Sequence, residues 1–258
     1  MVSDKNKSKV LVILGPTGSG KTGLAVEVAL AVAKKRGESC AAEIISADSR
    51  AIYKGMNIGT AKPTKEEQCG VPHWGIDLVL PTERFTAVDF QRYARQKIAE
   101  IEARGHLPII VGGTGLYIDA LVYDYKFNDD VKKTCSDRRE ICSDYVMVGI
   151  KWQREELKRR LLARSRNLFA QDIEAETRRL VERYGLDCPA LTADIYPIVW
   201  EMMSGQVSRE EAIRRNATKD WQLAKRQLTW FKRNKNIHWL EPSEAKDWIL
   251  NCALCAKM

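Results

Sequence analysis

Histidine is scarce in this chain, three in 258 residues, and His73 in the segment VPHW has no partner spaced for metal binding or for activating a nucleophile. Packing is its plainer role. Long apolar runs are also missing, since none approaches the ~18 residues that cross a bilayer. The opening MVSDKNKSK lacks the apolar core of a secretory leader. These absences speak against a membrane or exported protein, and a cytoplasmic one is expected. The seven cysteines are odd in number and follow no framework spacing, so reduced thiols are the expectation. Only Cys252 and Cys255 form a C-x-x-C, and no second pair accompanies them at zinc-finger spacing. They read more simply as part of a terminal helix than as a zinc site. Internal repeats and low-complexity tracts are lacking too.

What the chain does have is ordinary globular material, 45% hydrophobic and 29% charged, in a length that suits one α/β domain with an appendage. Its formal net charge is +8, unevenly spread. Residues 1–124 carry 16 basic and 14 acidic side chains, and residues 125–258 carry 26 and 20. The second half is therefore the side expected to face a polyanion. Within it, the stretch Arg209 to Lys235 holds nine basic residues against three acidic ones on a helical pattern. Alone, such a run reads as a solvated face. Beside a phosphate-binding motif it points toward RNA or nucleotide.

That motif is GPTGSGKT, from Gly15 to Thr22. The apolar run Val10 to Leu14 feeds it and the helical run Leu24 to Ala33 leaves it, which is the strand–loop–helix setting of a P-loop. Gly15, Pro16, Thr17, Gly18, Ser19 and Gly20 form a cradle of backbone N–H groups. Lys21 supplies a point charge, Thr22 offers a hydroxyl to Mg²⁺, and the helix N-terminus adds its dipole. The motif specifies phosphate, not a reaction.

Strand signals at Glu43–Ser46, Ile76–Leu80 and Leu107–Val111 alternate with helical periodicity, predicting a doubly wound parallel sheet of P-loop NTPase type. Further strands are expected at Val146–Ile150 and Ile237–Leu240, separated by long helices over Arg154–Tyr184 and Ser208–Asn234. Residues 1–124 form the core with the donor and base sites, 125–144 a charged connector, and 145–258 the rest of the core with lid-like and basic helices. In such sheets ligands bind beyond the carboxyl ends of the strands. Two further ends carry candidates. Asp48, in SADSR, is either an N-cap or a general base. Thr114 follows Gly112-Gly113, glycines that allow a close backbone approach. Asp77 and Asp89 are weaker candidates, a turn residue and a first-turn helix residue. Arg160 and Arg164 share a helix face suited to a polyphosphate clamp or to solvent. Trp221 has the spacing of a core residue.

The chain resembles the tRNA dimethylallyltransferase family. The resemblance lies in GPTGSGKT, ISADSRAIYKGMNIGTAKPT from Ile45 to Thr64, VPHWGID from Val71, FTAVDF from Phe85, PIIVGGTGLYIDAL from Pro108 to Leu121, and QLAKRQLTWFKRN from Gln222 to Asn234. These pieces run in the family's order through nearly the whole chain. By this resemblance Asp48 is the base on an adenine N6, with Ser49, Arg50 and Ala51 against the target base and its neighbours and Thr114 beside the reacting centre. The loop holds a diphosphate, helped by Arg164 and by Mg²⁺ on Thr22.

The reaction so implied moves a dimethylallyl group from dimethylallyl diphosphate to N6 of the adenine next to the anticodon, position 37, in tRNA. Arg226 and Arg233 are placed toward the tRNA backbone, and a monomer is expected. Three features depart from the family: a short connector replaces a long helical insertion, Asp220-Trp221 replace a Thr-Arg pair, and Ile195 replaces a glycine before Tyr196. Two other activities use the same loop. An adenylate isopentenyltransferase takes free AMP, ADP or ATP as acceptor, and a small-molecule kinase binds ATP there.

Overall fold

The computed structural model describes residues 10–127, 144–192 and 195–255. In chain order the elements are β1 (Val10–Leu14), α1 (Lys21–Arg36), β2 (Ala42–Ala47), α2 (Lys65–Gln68), β3 (His73–Trp74), α3 (Ala87–Ala103), β4 (Leu107–Gly112), α4 (Gly115–Val122), β5 (Tyr145–Ile150), α5 (Arg154–Ala170), α6 (Ile173–Tyr184), α7 (Pro189–Thr192), α8 (Tyr196–Met203), α9 (Arg209–Phe231), β6 (His238–Leu240) and α10 (Pro242–Cys255). All strand pairs among the described residues are parallel, in the order β3-β2-β4-β1-β5-β6.

The period of two within the strands decides which layer each residue joins. Val10, Val12 and Leu14 face one side with Ile45, Ile110 and Met147, under Phe90, Ala94 and Ile101 of α3 and Ile118 and Leu121 of α4. Leu11 and Ile13 face the other side with Ile44, Ile109 and Val148, under Val28 and Val32 of α1 and Ile249 of α10. A third cluster contains no strand. Phe169, Leu180, Leu191, Ile198, Val199 and Ile213 pack among α5 to α9, with Met56 from the loop after β2.

Two elements differ from the sequence expectation. The third strand is only His73–Trp74, and Ile76–Leu80 lies outside the sheet. Gly75, at φ +80, and Asp77, at φ +54, turn the chain away. Leu78 and Val79 then donate to the Ile52 carbonyl, so this apolar run covers the loop after β2. The helix expected over Arg154–Tyr184 is two helices. It breaks at Gln171, and Asp172 caps α6 by accepting from the Ala175 N–H. The connector's residues 128–143 lie outside the described residues, as do the side chains of Cys252 and Cys255. Asp89 is a first-turn residue as expected, closing a capping box with Thr86.

Candidate active site

A cavity of about 630 Å³ opens where the carboxyl ends of β1, β2 and β4 meet α5 and α9. The phosphate loop forms its floor. Gly18 sits at φ +74, a strained backbone for any side chain, and a β-carbon there would lie 2.6 Å from a terminal methyl of Leu161 on α5, which would have to shift. Lys21 donates to the Pro16 carbonyl at 2.6 Å. Burial lowers its pKa to about 8, against the pull of Asp48, with Arg164 pushing the same way as burial. Lys21 thus lies within the fields of both Asp48 and Arg164 inside one cavity.

Asp48 is not an N-cap, because no helix follows it. Its Oδ1 accepts from the Arg50 N–H at 2.8 Å in a tight Asx turn. That turn sets the carboxylate in the cavity wall. Thr114, at the N-cap of α4, braces it, accepting from the Ser49 N–H at 3.0 Å and donating to the Ser49 hydroxyl at 3.2 Å. Its hydroxyl is thereby committed to fixing the Asp48 segment. Ser49 and Ala51 line the same wall. Arg50 also lines it, while its guanidinium donates to the Ala190 carbonyl of α7 and lies over the Tyr53 ring at 5.4 Å.

The helical wall brings Arg164 from α5 and Lys219, Asp220 and Arg226 from α9. Arg164 Nε stands 3.8 Å from Asp220 Oδ2, beyond hydrogen-bond reach. Burial raises the Asp220 pKa and Arg164 offsets part of that rise. Arg160, read from the sequence as a clamp or a solvent-facing residue, instead donates to the Gly18 carbonyl at 2.9 Å and stacks on Trp152. Arg233 does not line the cavity and lies over Trp230 at 5.7 Å. Trp221 packs half-buried on Leu157, Leu161 and Ala224. His73 lines the cavity with a buried Nε2 that has no protein partner among the described residues, and its Nδ1 lies 2.8 Å from the Val71 carbonyl. Burial lowers its pKa.

Two site-forming residues are not legible as candidates in the sequence. Glu176 of α6, buried in the helical cluster, accepts from the N–H groups of Asn57, Ile58 and Gly59, each at 2.9 Å, and from the Tyr196 hydroxyl at 3.0 Å. It fixes the loop that brings Thr60 and Lys62 to the cavity. Gln227 of α9 bridges Thr17 and Gly113. The glycines Gly113 and Gly115 admit α9, not a ligand: β-carbons there would stand 2.3 Å from Gln227 Nε2 and from Trp230 Cδ1. Among the described residues no cluster of three or more His, Cys, Asp or Glu side chains suits a metal ion. Thr22 does line the cavity beside Lys21, a hard oxygen next to a phosphate cradle, as suits Mg²⁺ shared with a phosphate ligand. No helix among the described residues is long and apolar enough to cross a membrane.

A sequence model described as IPP transferase matches residues 51–145 and 131–234. The tRNA dimethylallyltransferase of Geobacillus thermodenitrificans is 35% identical over 301 aligned positions, covering 94% of this chain and 93% of the relative. That of Staphylococcus aureus is 32% identical, covering 92% and 94%. The full-length tRNA isopentenylpyrophosphate transferase of Bacillus halodurans superposes with a TM-score of 0.82 at 30% identity, covering 97% of both chains. A eukaryotic dimethylallyltransferase acting on tRNA shares the fold at a TM-score of 0.73 and 22% identity, with 96% of this chain and 77% of that one covered. The 301 aligned positions exceed the 258 residues here, so the alignment opens gaps in this chain opposite residues of the Geobacillus relative. The family match breaks within residues 131–145, at the connector.

Proposed function

The chain belongs to the IPP transferase family, and on that premise we propose that it is a tRNA dimethylallyltransferase that prenylates N6 of the adenine next to the anticodon. The observation that carries this reading is the pairing of Asp48 and Lys21 at neighbouring strand ends, within one cavity and within each other's field. An exocyclic adenine amine is a weak nucleophile because its lone pair is delocalised into the ring. As the N6–C1 bond to the dimethylallyl group forms, Asp48 takes the amine proton, and the C1–O bond breaks with its electron pair leaving on diphosphate. Lys21 and the loop amides receive that charge, and Arg164 adds to it from the helical wall.

Thr22 is the residue that would hold Mg²⁺, which when bound supplies further positive charge to the diphosphate. A base stacked in an RNA loop must be extruded to reach Asp48, at about a few kcal/mol, and phosphate contacts from the basic helical side offset this. The test is incubation with dimethylallyl diphosphate, Mg²⁺ and either total tRNA or AMP, followed by mass analysis of nucleosides. Prenylated adenosine in the tRNA sample is expected. Modification of AMP alone, or consumption of ATP in place of the prenyl donor, would overturn the proposal.

A further inference from the structure

Three pieces of the site meet on one side chain. Gln227 Oε1 accepts from the Thr17 N–H of the phosphate loop at 2.7 Å, and its Nε2 donates to the Gly113 carbonyl beyond β4 at 3.0 Å. Thr114, the next residue, holds Ser49 and with it the Asp48 turn. A carboxamide can accept from one backbone group and donate to another at once. A carboxylate cannot donate when ionised, and lysine and arginine cannot accept. One turn further on, Trp230 donates to Asp119 Oδ2 at 2.8 Å and fills the space over Gly115. Helix α9 is thus pinned to the ends of β1 and β4, and it carries Lys219 and Arg226 on the same cavity-facing side.

The Thr17 amide has one proton. Given to Gln227, it is withheld from a bound phosphate, and any ligand that draws on it breaks one of the bonds that seat α9. We infer that Gln227 is a positioning residue that couples occupancy of the phosphate loop to the seating of α9 on RNA, so that each ligand alters the affinity for the other. The reading of the loop as a diphosphate site and of α9 as an RNA-facing helix, proposed above, underlies this inference. Coupling of this kind is reciprocal and is commonly about 5-fold or more. It is also independent of the chemical step.

The experiment measures the dissociation constant of inorganic diphosphate, with Mg²⁺, for the whole protein with and without saturating tRNA. The parent protein is expected to show a ratio of about 5 or more, in either direction. In Gln227→Leu, which removes both bonds, the ratio should fall to within about 2-fold of one. Gln227→Glu, close in shape but without the donor to Gly113, should lower it as well and serves should the leucine variant fail to fold. A purely structural role scales both dissociation constants together and leaves the ratio intact. An unchanged ratio in a folded variant, or a ratio of one in the parent protein, overturns the inference. A parent protein that binds no diphosphate at all instead overturns the functional reading on which it rests.

Discussion

The two walls of the cavity hold their charges differently. On the sheet wall, Lys21 and Asp48 are set by backbone: Lys21 donates to Pro16, Asp48 accepts from Arg50, and Thr114 braces the turn beside them. On the helical wall the charges ride on long side chains, and α9 itself divides into two parts. In its first half Arg209 faces Glu174, Arg214 faces Glu210 and Glu211, and Arg215 faces Glu201 and Glu211. In its second half Lys225 and Arg226, and just past its end Lys232 and Arg233, have no carboxylate within ion-pair distance among the described residues, although Arg233 still acts on Asp119 through its charge. Chemistry belongs on the rigid wall, where a misplacement of about 1 Å lowers the rate steeply. Grip belongs to the uncompensated cations, which give up little by turning to phosphate.

Removing the base from the rigid wall should have the largest effect. Asp48→Asn keeps the shape and loses the proton acceptor, so turnover should fall by at least about 10² while RNA affinity moves by no more than a few-fold. Single-turnover kinetics alongside filter binding separates the two, and near-normal turnover would remove Asp48 from this role. Next comes Lys21, whose pKa of about 8 means that it loses its charge in mildly alkaline solution. Since the protonated form binds the diphosphate, KM for the prenyl donor should rise as pH climbs through that value, and bound diphosphate should push the pKa back up. In Lys21→Ala the donor KM should be high throughout and lose that pH dependence.

Folding follows the sign of the same shift. A folded-state pKa below the usual lysine value of 10.5 favours the neutral form, so Lys21 destabilises the fold fully below about pH 8, and this is relieved as pH rises toward 10.5. The smallest effects belong to α9 and the residues just past its end. Arg226→Ala or Arg233→Ala should lower the salt slope of tRNA binding by about one unit per lost phosphate contact. Arg215→Ala, taken from the compensated half, should leave that slope unchanged. Equal slopes for all three would erase the distinction between the halves.

Much of this was legible in the sequence because the signals were local. GPTGSGKT between an apolar run and a helical one announces its own conformation, and the strand-end rule leads to Asp48 and Thr114 without coordinates. The helix break at Asp172 had a local signal as well, an N-cap aspartate inside an otherwise helical pattern. Other features are relations between distant segments. Ile76–Leu80 has a strand's composition, but Gly75 and Asp77 redirect it over the loop after β2. Glu176 reads as one more charge on a polar helix face until the Asn57–Gly59 amides close around it. Gln227 stands 210 residues from Thr17, and only folding brings them together. The glycines of Gly112–Gly115 gave the right signal, close approach, with an internal partner in place of a ligand.

The contact between α5 and the phosphate loop limits how substrates can enter. Leu161 occupies the space that a side chain at Gly18 would need, Arg160 holds the Gly18 carbonyl, and the Trp152 indole donates to the Ser19 carbonyl just before the helix. A helix anchored in this manner works as a buttress, not a flap. Swinging it outward would drag the cradle with it and ruin the surface that the leaving group needs. The rim where α9 exposes Leu223 and Arg226 is different, built of side chains that can step aside one at a time while the scaffold beneath stays put.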